Sequence, residues 1–147
     1  MPYRKERFDV SEFYHIYNRG NNKGRIFFEL ENYHFFLRQF FKYFPSPSAE
    51  IHAFCLMPNH FHFLVRFLEV TDISTRMKYF GISYAKAINS RFQRTGHLFE
   101  GRFKIKYVDS DEYLLHLSRY IHLNPLLAKL VLKAEDWNIQ AIINISQ

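Results

Sequence analysis

Leu56-Met57-Pro58-Asn59-His60-Phe61-His62-Phe63-Leu64-Val65 alternates histidine with large apolar side chains directly after a Pro-Asn pair. Side chains alternate faces along a strand, so His60 and His62 share one face while Phe61, Phe63 and Val65 share the other. Pro followed by Asn is turn chemistry, and the apolar run 51–57 precedes it. The reading is a tight hairpin of two strands, 51–57 and 60–67. Two residues of strand separate the histidine Cα atoms by roughly 6.5 Å, so both imidazoles can reach one cation. Two histidines on the exposed face of an amphipathic strand would give the same string. The cation reading gains from the pair standing at a strand start, flanked by core residues.

Outward from the hairpin, Phe13-Tyr14-His15-Ile16-Tyr17-Asn18 reads as a strand running into the basic, glycine-punctuated loop Arg19-Gly20-Asn21-Asn22-Lys23-Gly24. Residues 29–44 place Tyr33, Phe36, Leu37, Phe40, Phe41 and Phe44 at i, i+3, i+4, i+7, i+8 and i+11, one face of an amphipathic helix. A second helix is expected over 71–91, with Ile73, Met77, Phe80, Tyr84 and Ile88 inward and Gly81 a weak spot. Basic and apolar residues alternate over 101–108, a strand with one buried face. Asp109 or Ser110 caps a third helix from 111 to about 123, stopped or kinked at Pro125. Beyond Leu132 only Trp137 and Ile139, Ile142 and Ile143 stand out. The order β-α-β-β-α-β-α predicts an α+β fold: one antiparallel sheet with helices on a face, in a ferredoxin-like arrangement.

The 147 residues are one domain's worth, and the only breaker-rich loop, Pro45-Ser46-Pro47-Ser48, is too short to divide them. Seventeen Phe and ten Tyr suit a filled core or a surface on which bases stack, and composition does not choose. A net charge of +6 favours an anionic partner, nucleic acid or a membrane surface. No apolar stretch approaches a membrane span and the charged N-terminus has no apolar segment behind it, so a cytoplasmic protein is expected. A single cysteine, Cys55, excludes an internal disulfide and reads as packing. Two histidines alone do not satisfy zinc, whereas Mg²⁺ or Mn²⁺ can complete its shell with water and phosphate oxygens. Tyr120 and Asn124 lie four apart and stack on one face of the third helix. The phenol there can serve as a nucleophile and the amide as a ligand or an orienting group.

The motifs together resemble a known family. Pro58-Asn59-His60-Phe61-His62 resembles the HUH motif (His, hydrophobic, His) of single-tyrosine transposases, and Tyr14-His15-Ile16-Tyr17-Asn18-Arg19-Gly20 is similar to their first strand. Residues 84–89 and 94–104 resemble the block before their last strand, and Tyr120-Ile121-His122-Leu123-Asn124-Pro125 the helix bearing their nucleophile. The nearest branch is the REP-associated tyrosine transposases, bacterial proteins tied to repeated palindromic DNA. Leu126-Leu127-Ala128 departs from the basic residue often found there, and the tail near Trp137 lacks an expected Ser pair.

The resemblance implies His60 and His62 as metal ligands, Asn124 as a third, and Tyr120 as the nucleophile. It implies Mg²⁺ or Mn²⁺ as cofactor and single-stranded DNA beside a hairpin as substrate. It implies a 5′-phosphotyrosine intermediate and a free 3′-OH, the intermediate open to attack by a second DNA end, with a homodimer as one way of supplying both strands. The DNA backbone would be followed by Arg19, Lys23 and Arg25 in the first loop and by Arg91, Arg94, Arg102, Lys104 and Lys106 near the last strand. His15 approaches either the DNA or the active site. His34, His52, His97, His116 and His122 are read as structural or surface. A DNA-hairpin binder without catalysis and a metallohydrolase with a structural Tyr120 are the rival readings.

Overall fold

A computed structural model describes residues 8–45 and 47–127, with side chains as far as Tyr120. Four strands, β1 (Phe13–Arg19), β2 (Ala49–Met57), β3 (His60–Phe67) and β4 (Lys104–Tyr107), form one sheet in the order β2-β3-β1-β4. Every neighbouring pair is antiparallel. Helix α1 (Leu30–Tyr43) links β1 to β2, α2 (Ile73–Arg91) links β3 to β4, and α3 (Asp111–Leu127) follows β4. β1 and β2 flank β3, and β3 and β4 flank β1, so each of the first two helices bridges a pair of parallel strands around an interposed antiparallel one. This is the ferredoxin-like topology expected from the element order.

The two faces of the sheet are covered by different helices. Phe61, Phe63, Val65, Tyr14, Ile16 and Leu56 pack toward α1 and α2 in the main core, with Phe36, Leu37, Phe40, Phe80 and Tyr84. Phe36 lies 4.8–5.7 Å, centroid to centroid, from Phe27, Phe61, Phe63, Phe80 and Tyr84. Much of the phenylalanine excess is therefore core. The buried Tyr84 hydroxyl donates to the Ile26 carbonyl at 2.6 Å. On the opposite face Leu117 of α3 meets Ala53, Cys55, Met57, Leu64 and Val108.

The expected sheet with helices on a face is present, and α3 adds cover on the other face. The physical reason lies in β2, whose residues Ala53 to Met57 are all buried. A strand with no solvated face needs cover on each side.

Several boundaries differ from the periodicity reading, among them the start of β2, at Ala49 and not 51. α2 starts at Ile73, two residues later than expected. β4 pairs only over Lys104–Tyr107 because the chain before it turns Phe103 into the α2 core. There Gly81 makes room: a Cβ added to it would lie 3.3 Å from the Phe103 ring. α3 continues through Pro125 to Leu127. Proline has no backbone N–H, so α3 lacks one intrahelical hydrogen bond at Pro125. The tail residues singled out beyond Leu132, and the side chains of His122 and Asn124, lie outside the described residues.

Candidate active site

Register builds the site. Tyr17 pairs with His62 and Arg19 with His60 across β1 and β3, while Tyr17 pairs with Lys104 and His15 with Lys106 across β1 and β4. Paired residues share a face, so histidines, tyrosine and cations gather on the side of the sheet that α3 only partly covers. The loop after β1 is drawn toward the β2–β3 turn: Gly20 N–H donates to the Asn59 carbonyl at 2.9 Å, and Ile26 N–H to the Pro58 carbonyl at 2.8 Å. A Cβ on Gly20 would lie 1.8 Å from the Gly24 carbonyl oxygen, so this position requires glycine. The loop thereby brings Lys23 beside the histidines. Tyr120 on α3 completes a cleft of about 470 Å³ whose walls include His60, His62, Arg19, Lys23 and Lys104.

Both histidines are oriented through Nδ1. His60 Nδ1–H donates to Asn59 Oδ1 at 2.8 Å, and His62 Nδ1 is 2.9 Å from His15 Nε2. Nδ1 is thus engaged on both rings, and both histidines line the cleft. The ring centroids stand 5.4 Å apart at 81°, and the Tyr120 ring is 5.7 Å from that of His62 at 87°. Burial lowers the pKa of His60, and it lowers that of His62 to about 3, helped by His15 and His60. His15 falls to about 4, by burial first and Lys106 second. Neutral imidazoles are the form that ligates metal.

Among the described residues no group of three His, Cys, Asp or Glu side chains is placed to hold a metal. The donor set still fits a hard divalent cation: two imidazole nitrogens in an open cleft leave the remaining positions to water and phosphate oxygens. A closed zinc site would need more.

The expected DNA-contacting residues divide. Arg19, Lys23 and Lys104 line the cleft, and the Lys106 ammonium lies 6.0 Å from the Tyr17 ring centroid. Arg25 donates to the Phe27 carbonyl, Arg91 pairs with Glu29 at 3.2 Å, and Arg94 donates to Asn89 at 2.6 Å. These three are engaged with their own loops and the α1 and α2 ends. Arg102 lines a separate groove between α2 and the segment before β4. His15 is 8% exposed, an interior residue beside His62.

Four cleft residues carried no assignment from sequence. Tyr17 stacks on His15 at 4.5 Å, a contact readable only once β1 is in register with β3. Asn59 orients His60, although sequence offered it only as a turn residue. Buried Asn18 donates to the Gly101 carbonyl and accepts from Arg19 N–H, tying β1 to the segment before β4. Glu100 binds Arg19 at 2.6 Å and Lys104 at 3.4 Å, and the Arg19 hydrogen bond holds its carboxyl below its ordinary pKa.

The sheet is ferredoxin-like, with a His-x-His pair on β3 facing a tyrosine on α3. Residues 11–124 match the family model for IS200-like transposases, and the chain belongs to that family. Its structure is similar to that of a REP-associated tyrosine transposase bound to a REP hairpin, with a TM-score of 0.73 at 18% identity, covering 93% of this chain and 80% of the other. It is also similar to a candidate transposase from Deinococcus radiodurans R1, with a TM-score of 0.53 at 18% identity, covering 81% of this chain and 95% of the other. No curated protein matches the sequence.

Proposed function

We propose that this transposase-family chain cleaves and rejoins single-stranded DNA beside a palindromic hairpin through a 5′-phosphotyrosine intermediate on Tyr120. The observation that carries the reading is the Tyr120 ring 5.7 Å from His62, in a cleft that His60 and His62 line with Nδ1 engaged on both rings. The hairpin seen with the structurally similar REP-associated transposase supports the substrate class.

A phenol is a weak nucleophile until its proton is removed. Tyr120 is 46% exposed, so DNA can reach its hydroxyl. The phenol proton passes to solvent as Oη bonds to phosphorus; the P–O3′ bond breaks, and the departing 3′ oxygen takes up a proton from solvent. Arg19, Lys23 and Lys104 hold flanking phosphates and fix the strand's direction. His60 and His62, with Asn124 as proposed third ligand, would hold Mg²⁺ or Mn²⁺, which withdraws charge from the scissile phosphate when bound. Attack by a second 3′-OH on the phosphotyrosine reverses the chemistry, so strands are rejoined without ATP. Burial lowers the pKa of both rings, which favours the neutral form that ligates metal.

The test is covalent trapping of labelled hairpin DNA with a single-stranded flank in Mg²⁺ or Mn²⁺, read on a denaturing gel. Wild type forms an adduct that Tyr120→Phe, His60→Ala and a chelator each abolish. Cleavage that survives Tyr120→Phe rejects the nucleophile. Salt-sensitive binding without an adduct on any hairpin supports instead a binder that has lost catalysis.

A further inference from the structure

We infer that His15 is a positioning residue for the cation site: its Nε2 accepts the Nδ1 proton of His62 and so keeps the His62 Nε2 lone pair open to the cleft. The inference rests on the proposed assignment of His60 and His62 as ligands. In register, Tyr17 is the residue directly opposite His62, which makes His15 its diagonal neighbour. Diagonal pairs lie far enough apart that only long or aromatic side chains meet across them. Here two imidazoles do, with His15 Nε2 and His62 Nδ1 at 2.9 Å and the rings 23° from parallel.

One proton occupies that contact, and it can belong to either ring. If His15 donates, His62 carries its own proton on Nε2 and offers the cleft no lone pair. If His62 donates, Nε2 is bare and ready for a cation. The two tautomers differ by one proton position on each ring, and only the second makes a ligand.

The surroundings hold the His15 ring in place against His62. Tyr17 stacks on it at 4.5 Å, which limits rotation of the ring. Ligating histidines commonly donate their second nitrogen to a carboxylate, a carbonyl or water. For His60 that acceptor is the Asn59 amide oxygen, and for His62 it is a second imidazole. With 8% exposure His15 contributes through His62 and not by touching DNA phosphate.

Mn²⁺ binding to the DNA-free protein, followed by loss of the free-ion EPR signal, tests this without reference to activity. His15→Phe keeps the ring and removes the acceptor, and weakens Mn²⁺ by about 10–100-fold. His15→Gln, whose amide oxygen can accept the same proton, restores most of the affinity. Nitrogen NMR of histidine-labelled, Mg²⁺-saturated wild type reports His62 with its proton on Nδ1, a reading that needs no variant to fold. Native Mn²⁺ affinity in His15→Phe, or a proton on His62 Nε2 in the loaded wild type, overturns the positioning role. His60→Ala and His62→Ala separate the two claims. Binding lost in both, with His15→Phe unaffected, refutes only the role of His15. Binding retained in both, or no Mn²⁺ binding by wild type, rejects the ligand assignment and this inference with it.

Discussion

Lowering the pH of the metal-free protein should destabilise it through His15 and His62. Both are depressed from the ordinary value of 6.5, to about 4 and about 3, chiefly by burial. The unfolded chain then binds more protons than the folded one between about pH 4 and 6.5, so stability is greatest above that window and falls as pH drops through it. At pH 5 each ring lies 1.5 pH units below the unfolded value, about 2 kcal/mol apiece. This figure barely depends on how deep the folded values lie, provided they stay well under 5. The two rings share a hydrogen bond, so their protonations are coupled, and a combined loss of ~2–4 kcal/mol is the expectation. Urea titrations with EDTA across this range read it directly, and the His15→Gln/His62→Gln double variant should be flatter by the same amount. An unfolding free energy constant down to pH 5 refutes the reasoning. A wild type and double variant that fall in parallel assign the loss to other groups.

Phe36→Ala removes the ring at the centre of five aromatic contacts and should cost about 3–5 kcal/mol in denaturant unfolding. Phe36→Leu should cost clearly less, and equal losses would place the contribution elsewhere than in the aromatic cluster. Glu100→Gln releases Arg19 and Lys104 from a shared carboxylate. Single-strand affinity, read by fluorescence anisotropy, should rise a few-fold with a steeper salt dependence, by about 0.7 in log–log slope per phosphate gained. Unchanged affinity and slope would mean that neither cation meets the backbone.

The order of elements was legible because local signals agreed: alternation on β3, a Pro-Asn turn before it, and helical spacing on α1 and α2. The side chosen by α3 was less so. Its signal is the unbroken burial of Ala53 to Met57, which in sequence is also compatible with a single covered face. The short β4 depended on a long-range fit, Phe103 seated against Gly81, that alternation at 101–108 does not reveal.

The site divides along the same line. His60 and His62 announce themselves by their spacing on one strand, but what orients them comes from register and from a turn: His15 diagonally across β1, Asn59 next in chain. Charge was the least legible part, because a basic residue's partner is not written beside it. Arg91 meets Glu29 on the start of α1, and Arg94 meets Asn89 a turn earlier on α2. Arg19 and Lys104, equally basic in sequence, converge on Glu100 at the cleft instead. The result is a rim of positive side chains around partly buried histidines. Such a rim attracts an anionic strand by its edge, and a cation on the proposed His60–His62 pair would not compete for the side chains that meet the phosphate.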